Sequence, residues 1–209
     1  MKTHYNSVMT KLQVALDFTD LKEALKIAEK VHDFVDILEA GTPLIKSCGM
    51  SCVSKLKEYG CEVFADTKTM DTAKLEGELA KSHGADYFSV LAVAPENTLK
   101  EGLKVKGIKK MLDFIGVEDK ISKAREFLDK SLNYDIFVFH TGIDEGKFDP
   151  EKYKNCELDN LAVAGGISLE NLEKVMEIKP AIVIVGRAIT KAEDPAKAAK
   201  EMQEIIRCF

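Results

Sequence analysis

Eight short apolar runs recur along the chain at intervals of roughly 20–27 residues, and this period constrains the fold more than any other feature. They read KLQVALD, FVDILEAG, CEVFADTK, DYFSVLAV, KKMLDFIG, DIFVFHTG, LAVAGG and AIVIVGRA. Most of the intervals between them read as amphipathic helix, as in LKEALKIAEKVHD and DTAKLEGELAKSHG. Strand and helix alternating with so short a period imply parallel pairing through right-handed crossovers. Eight such units predict an α/β fold, a compact closed (β/α)8 (TIM) barrel, and 209 residues lies near the lower end for it.

Helix punctuation agrees. Asp20 followed by Glu23 has capping-box spacing, Ser168 precedes LENLEKVM, and Asp194–Pro195 suits the N-cap and first position of the last helix. No linker or low-complexity tract divides the chain. Residues 1–10 are expected to form an N-terminal extension, and residues 11–209 a single barrel domain. Two units are thin: 16 residues separate Ala92 from Lys109, and 17 separate His140 from Leu158. The second gap, containing DEGKFDPEKYKNCE, has room for a short helix at most.

Composition narrows the function. A net charge of -5 with no basic stripe argues against nucleic acid and against an anionic membrane surface. The start, MKTHYNSVMT, lacks the apolar core of a signal peptide, and stretches such as AIVIVG are too short to span a bilayer. The five cysteines (Cys48, Cys52, Cys61, Cys156 and Cys208) have an odd count and irregular spacing, which reads as reduced packing residues. Cys48 and Cys52 are four apart, which on one helix puts them on one face. A cytoplasmic protein is the expectation.

In such a barrel the C-terminal strand ends form the active site. In order they carry Asp17, Glu39, Asp66 with Lys68, Asp113 and His140, then AGG at 164–166 and VGR at 185–187. Alternation aims Asp17 with Gln13 and Ala15, Glu39 with Ile37, Asp66 and Lys68 with Phe64, and His140 with Val138. Taken singly, each has a plain structural reading: a turn or cap carboxylate, a solvated lysine, a core histidine. Taken together they crowd like charges. At an effective dielectric of about 20, two unit charges 4 Å apart interact by roughly 4 kcal/mol. Lys68 offsets one carboxylate. Glu39 and Asp66 remain, and two hard oxygen donors on neighbouring strands suit Mg2+, completed by water and substrate oxygens. At the two glycine turns, Gly165, Gly166 and Gly186 let backbone N–H groups approach an anion, and Arg187 adds a forked cation. Barrel phosphates commonly bind after strands seven and eight.

The segment ADTKTMD, Ala65 to Asp71, resembles the D-x-K-x-x-D motif of the orotidine 5'-monophosphate decarboxylase suprafamily, and the resemblance runs from about Lys11 to the C-terminus. Orotidylate decarboxylases typically carry a lysine at the end of strand two; here LEAGTPLI supplies Glu39. That resembles the Mg2+-dependent branch, the 3-hexulose-6-phosphate synthases and 3-keto-L-gulonate-6-phosphate decarboxylases. EAGTPLI, DTKTMD, DFIGV and HTGID are similar to the synthases, whereas the decarboxylases usually carry an arginine-bearing segment after the histidine.

The resemblance implies a lyase, an aldolase that reversibly adds formaldehyde to ribulose 5-phosphate through an ene-diolate. It implies Mg2+, with Mn2+ as an alternative, held by Glu39 and Asp66. Lys68 would stabilise oxyanion charge, Asp17 would position Lys68 and a substrate hydroxyl, and His140 would move the C1 proton. Asp113 would orient a hydroxyl or water, and Gly165, Gly166, Gly186 and Arg187 would hold the phosphate. Alternation does not aim Asp71 at its own barrel. The resemblance has it reach the active site of a second subunit, implying a homodimer with shared sites; its plain reading is a helix N-cap. The segments 93–108 and 141–157 are shorter than this family usually carries. Two rival readings are the sister decarboxylase and a non-catalytic phosphosugar-binding barrel, the second disfavoured by the intact acid–base set.

Overall fold

The computed structural model describes residues 9–142 and 144–209. Residues 1–8 of the expected N-terminal extension lie outside the described residues; at its end, Thr10 Oγ1 donates to the Pro180 carbonyl at 2.6 Å. Eight parallel strands close into a barrel in chain order. They are β1 (Lys11–Leu16), β2 (Ile37–Ala40), β3 (Glu62–Thr69), β4 (Tyr87–Leu91), β5 (Lys109–Asp113), β6 (Ile136–His140), β7 (Leu161–Ala164) and β8 (Ile182–Val185). The last closes on the first in register, Lys11 opposite Ile182 through Val14 opposite Val185.

Alternation along these strands makes two apolar layers. Ala15, Ile37, Phe64, Tyr87, Met111, Val138 and Ala162 point inward and fill the barrel. Leu12, Val14, Leu38, Phe88, Leu112, Phe137 and Val183 point outward, beneath the helices. Each fully buried side chain of this size contributes about 1.5–3 kcal/mol, so both faces of every strand favour this one register. At the N-terminal end Lys11, Glu62, Tyr87 and Lys109 plug the barrel with a hydrogen-bonded charge cluster, and the opposite end is left for chemistry.

The helices are α1 (Leu21–Val31), α2 (Thr42–Cys48), α3 (Ser51–Lys57), α4 (Ala73–Ser82), α5 (Glu96–Leu103), α6 (Lys120–Asp129), α7 (Leu169–Met176), α8 (Arg187–Thr190) and α9 (Pro195–Arg207). Caps fall where expected: Asp20 accepts from Glu23 N at 3.0 Å and Asp194 from Lys197 N at 3.1 Å. At α7, Asn171 Oδ1 reaches back to Ser168 N at 2.8 Å. Among its described residues the thin unit after β6 has only a 3-10 turn, Pro150–Tyr153, whereas the one after β4 accommodates α5. One expectation needs correcting. Cys48 and Cys52 do not share a helix face, because Gly49 at φ +69 stops α2 before α3 begins.

Candidate active site

The C-terminal mouth of the barrel gathers Asp17, Glu39, Asp66, Lys68, Asp113 and His140. Glu39 lies in the lumen on β2, with one oxygen accepting from Gln13 Nε2 at 2.5 Å. Burial, then the charges of Asp66 and Asp17, push its acid well above the ordinary range, more than Lys68 and Gln13 pull it down. Asp17 follows β1 at the open mouth. The surrounding wall and then Asp66 raise its pKa against the pull of Lys68, His140 and Arg187.

Asp66 is buried on β3 and held on all sides. Its Oδ1 accepts from Ser89 Oγ at 2.9 Å. Its Oδ2 accepts from Lys68 Nζ and Thr42 Oγ1, both at 2.8 Å. Lys68 Nζ also donates to Asp113 Oδ2 at 2.9 Å. Burial alone would lower the lysine pKa; the charges and hydrogen bonds of Asp66 and Asp113 reverse that and raise it, so the ammonium persists. Asp113 accepts from His140 Nδ1 on the same oxygen at 3.1 Å. Burial pushes Asp113 up, but His140 and Lys68 bring it down to about 2. With Asp113 ionised, Nδ1 is the ring nitrogen that donates to it, which leaves Nε2 free to act as the base.

Within the protein, Asp113 bonds Lys68 and His140. Lys68 is held by Asp66 and Asp113, and Asp17 interacts with it through space. The route by which Lys68 enters the cluster differs from simple alternation. The β3–β4 register shifts between Ala65 and Thr69, and Lys68 takes φ +45, so a left-handed residue aims the amine.

Asp71 stands apart. It is exposed, its Oδ1 accepts from Thr72 N at 2.8 Å, and Thr72 rather than Asp71 occupies the N-cap of α4. It lines a hollow of about 570 Å³ with Thr72, Leu75, Thr98 and Glu101.

The glycine turns are shaped for close approach. Gly165 and Gly166 take φ +117 and +63. A Cβ on Gly165 would run into the Thr141 carbonyl, and one on Gly166 would lie 2.8 Å from Lys147 Cγ. Among the described residues the N–H groups of Gly166, Gly186 and Arg187 have no partner in turns or caps, and Arg187 forms no ion pair.

The family model for the Orotidine 5'-phosphate decarboxylase / HUMPS family matches residues 10–148 and 151–202. The chain belongs to this family. The 3-hexulose-6-phosphate synthase of Mycobacterium gastri is 36% identical over 214 residues, covering 94% of this chain and 99% of that protein. The solved 3-hexulose-6-phosphate synthase from Salmonella typhimurium has a TM-score of 0.87 at 35% identity, covering 94% of this chain and 98% of that one. The 3-keto-L-gulonate-6-phosphate decarboxylase from Vibrio cholerae O1 biovar El Tor has a TM-score of 0.82 at 28% identity, covering 96% and 99%.

For this member of the family, three site residues escaped the reading by strand ends: Gln13, Thr42 and Ser89. Gln13 and Ser89 sit mid-strand in otherwise apolar runs, and both are fully buried. A buried polar side chain needs a partner, and that is the signal that finds them. Gly41 is a fourth: a Cβ there would collide with Asp17 Oδ1. In the oxygen-donor cluster, Gln13 Oε1 is buried without a partner among the described residues. Those residues contain no ready-made cage of three or more His, Cys, Asp or Glu ligands. A cation here would take two carboxylates plus water or substrate oxygens, which suits a hard ion such as Mg2+ and not zinc.

Proposed function

We propose that the chain is a 3-hexulose-6-phosphate synthase, a lyase that reversibly adds formaldehyde to ribulose 5-phosphate. The observation that carries this reading is the buried Glu39 on β2 beside the Asp66–Lys68–Asp113–His140 hydrogen-bond chain. The near full-length similarity to 3-hexulose-6-phosphate synthases supports it.

His140, with Nδ1 engaged by Asp113, takes the C1 proton on Nε2. Lys68 keeps its positive charge and stabilises the oxyanion that the departing proton leaves behind, without having to reorganise. Asp17 accepts from a substrate hydroxyl. The C1 carbanion then forms a bond to the formaldehyde carbon as its C=O π bond breaks, and the formaldehyde oxygen takes the proton back from His140 Nε2. Gly165, Gly166, Gly186 and Arg187 hold the phosphate. Glu39 and Asp66 would hold Mg2+ or Mn2+, a Lewis acid that when bound lowers the cost of removing a proton beside a carbonyl. The crowding that raises Glu39 and Asp17 is what a bound cation relieves.

A homodimer fits the outside of the same region. Leu75 is exposed and lines the hollow with Asp71, whose chain neighbour Met70 is exposed as well, an apolar surface on which a second copy can dock. Asp71 then serves the partner's site. We place the protein in the cytoplasm, in keeping with its five free cysteines. Among the described residues no helix is long and apolar enough to cross a membrane.

The test is formaldehyde consumption with ribulose 5-phosphate and Mg2+, repeated with EDTA and with His140→Ala. Consumption that needs both metal and His140 is expected. A folded dimer that consumes none with metal present refutes the synthase, and carbon dioxide release from 3-keto-L-gulonate 6-phosphate then tests the sister activity.

A further inference from the structure

Ser89 lies on β4 with no exposed surface, yet it makes polar contacts to three successive residues of β3. Its hydroxyl accepts from Lys68 N at 2.8 Å and donates to Asp66 Oδ1 at 2.9 Å. Its carbonyl accepts from Thr67 Oγ1 at 2.7 Å. In a regular ladder the backbone of β4 would pair with this stretch. Here the register breaks between Ala65 and Thr69, and the Lys68 N–H is left to a side chain.

Lys68 at φ +45 is unfavourable for any residue with a Cβ and persists only where its surroundings over-determine it. A hydroxyl has one proton to donate. Ser89 spends it on Asp66 and offers a lone pair to Lys68, so one oxygen fixes both the carboxylate and the backbone that carries the amine. Thr69 Oγ1, which donates to the Glu76 carboxylate and lies 2.9 Å from Thr67 Oγ1, ties down the far side of the same bulge.

We infer that Ser89 is a positioning residue for the reaction, whose hydroxyl locks the left-handed turn at Lys68 and the rotamer of Asp66 into one arrangement. It touches no reacting atom and acts through these two. The inference rests on the lyase reading for its kinetic consequence and on the hydrogen bonds alone for its structural one. These hydrogen bonds lie wholly within the protein, so the arrangement needs no substrate to form it and need not be assembled during turnover.

Three variants separate the hydroxyl from the volume it fills: Ser89→Thr keeps the oxygen, Ser89→Val has the shape of threonine without it, and Ser89→Ala removes it without adding bulk. With ribulose 5-phosphate and formaldehyde, Ser89→Thr should keep kcat within about threefold of the parent. Ser89→Val and Ser89→Ala should lose about 30-fold or more in kcat, with KM for the phosphosugar within about threefold, because the phosphate turns are untouched. The second readout needs no activity: amide hydrogen exchange of residues 64–72 in the metal-free protein. Exchange at Lys68 should stay slow with Thr and speed up about tenfold or more with Val and Ala. If Val does not fold, judged by circular dichroism, the Ala–Thr contrast stands in its place. Parent-like kcat and exchange in Ser89→Ala overturn the inference, as does a Thr variant that falls as far as Ala. A parent enzyme without aldolase activity defeats the lyase reading instead, and the exchange contrast then decides Ser89 by itself.

Discussion

Asp113→Asn offers a quantitative test of the charge chain. Its carboxylate is 4% exposed and accepts from Lys68 Nζ and His140 Nδ1 through one oxygen and from Ile115 N at 2.9 Å through the other. Burial opposes the charge, and the hydrogen bond from His140 together with the charge of Lys68 wins, lowering the acid from 3.8 to about 2. A depressed carboxylate pKa stabilises the fold above the ordinary value and loses that contribution as pH falls through the folded value. At 1.36 kcal/mol per decade, the contribution at pH 7 is on the order of 2 kcal/mol. Asparagine keeps the shape and removes the charge. Urea unfolding of the metal-free proteins should therefore show Asp113→Asn less stable by on the order of 2 kcal/mol at pH 7, against a total of roughly 5–15 kcal/mol for a domain. Between pH 4 and pH 2 the gap should close, because the parent's Asp113 becomes protonated over that range. Equal stability at pH 7, or a gap that stays constant down to pH 2, would refute the placement of an ionised Asp113 between Lys68 and His140. The same variant should cost about 100-fold in kcat, since an amide no longer dictates which nitrogen of His140 carries the proton.

Two more predictions concern the mouth of the barrel. Glu39 carries the opposite sign from Asp113: its raised pKa means that its ionised form opposes folding, so stability falls as pH rises above the ordinary 4.5 toward the folded value. Glu39→Gln should raise the melting temperature of the metal-free protein at pH 8 by a few degrees, abolish the further rise that Mg2+ gives the parent, and abolish turnover, all readable by thermal scanning with and without EDTA. Gly41→Ala should lower kcat about 10–100-fold while leaving the melting temperature within a few degrees. The backbone there, at φ -61, tolerates alanine, but the new methyl collides with Asp17 Oδ1 and lies 3.0 Å from the Leu16 carbonyl; unchanged kinetics would show that Asp17 need not stay where it is.

What was legible in the sequence followed from periodicity, and what was hidden followed from breaks in it. The eight runs closed into a barrel, which leaves no strand edge unpaired. Glu39, Asp66 and His140 point into the lumen with Ile37, Phe64 and Val138, as a period of two requires. Lys68 reached the same cluster by a different path, through a bulge and a left-handed residue that no alternation rule anticipates. Gly49 likewise separates Cys48 and Cys52 onto two helices, and the cap of α4 fell on Thr72 rather than Asp71. The supporting polar residues were hidden for a related reason. Ser89 in DYFSVLAV and Gln13 in KLQVALD look like interruptions of apolar strands, and only their partners across the barrel give them meaning. These two kinds of irregularity coincide in space. The one strand that departs from regular pairing carries Asp66 and Lys68, and the buried hydroxyl of Ser89 repairs that departure. A barrel built only from regular strands would aim side chains at fixed two-residue intervals. The bulge frees Lys68 from that lattice, so that its ammonium bridges Asp66 on its own strand and Asp113 two strands away.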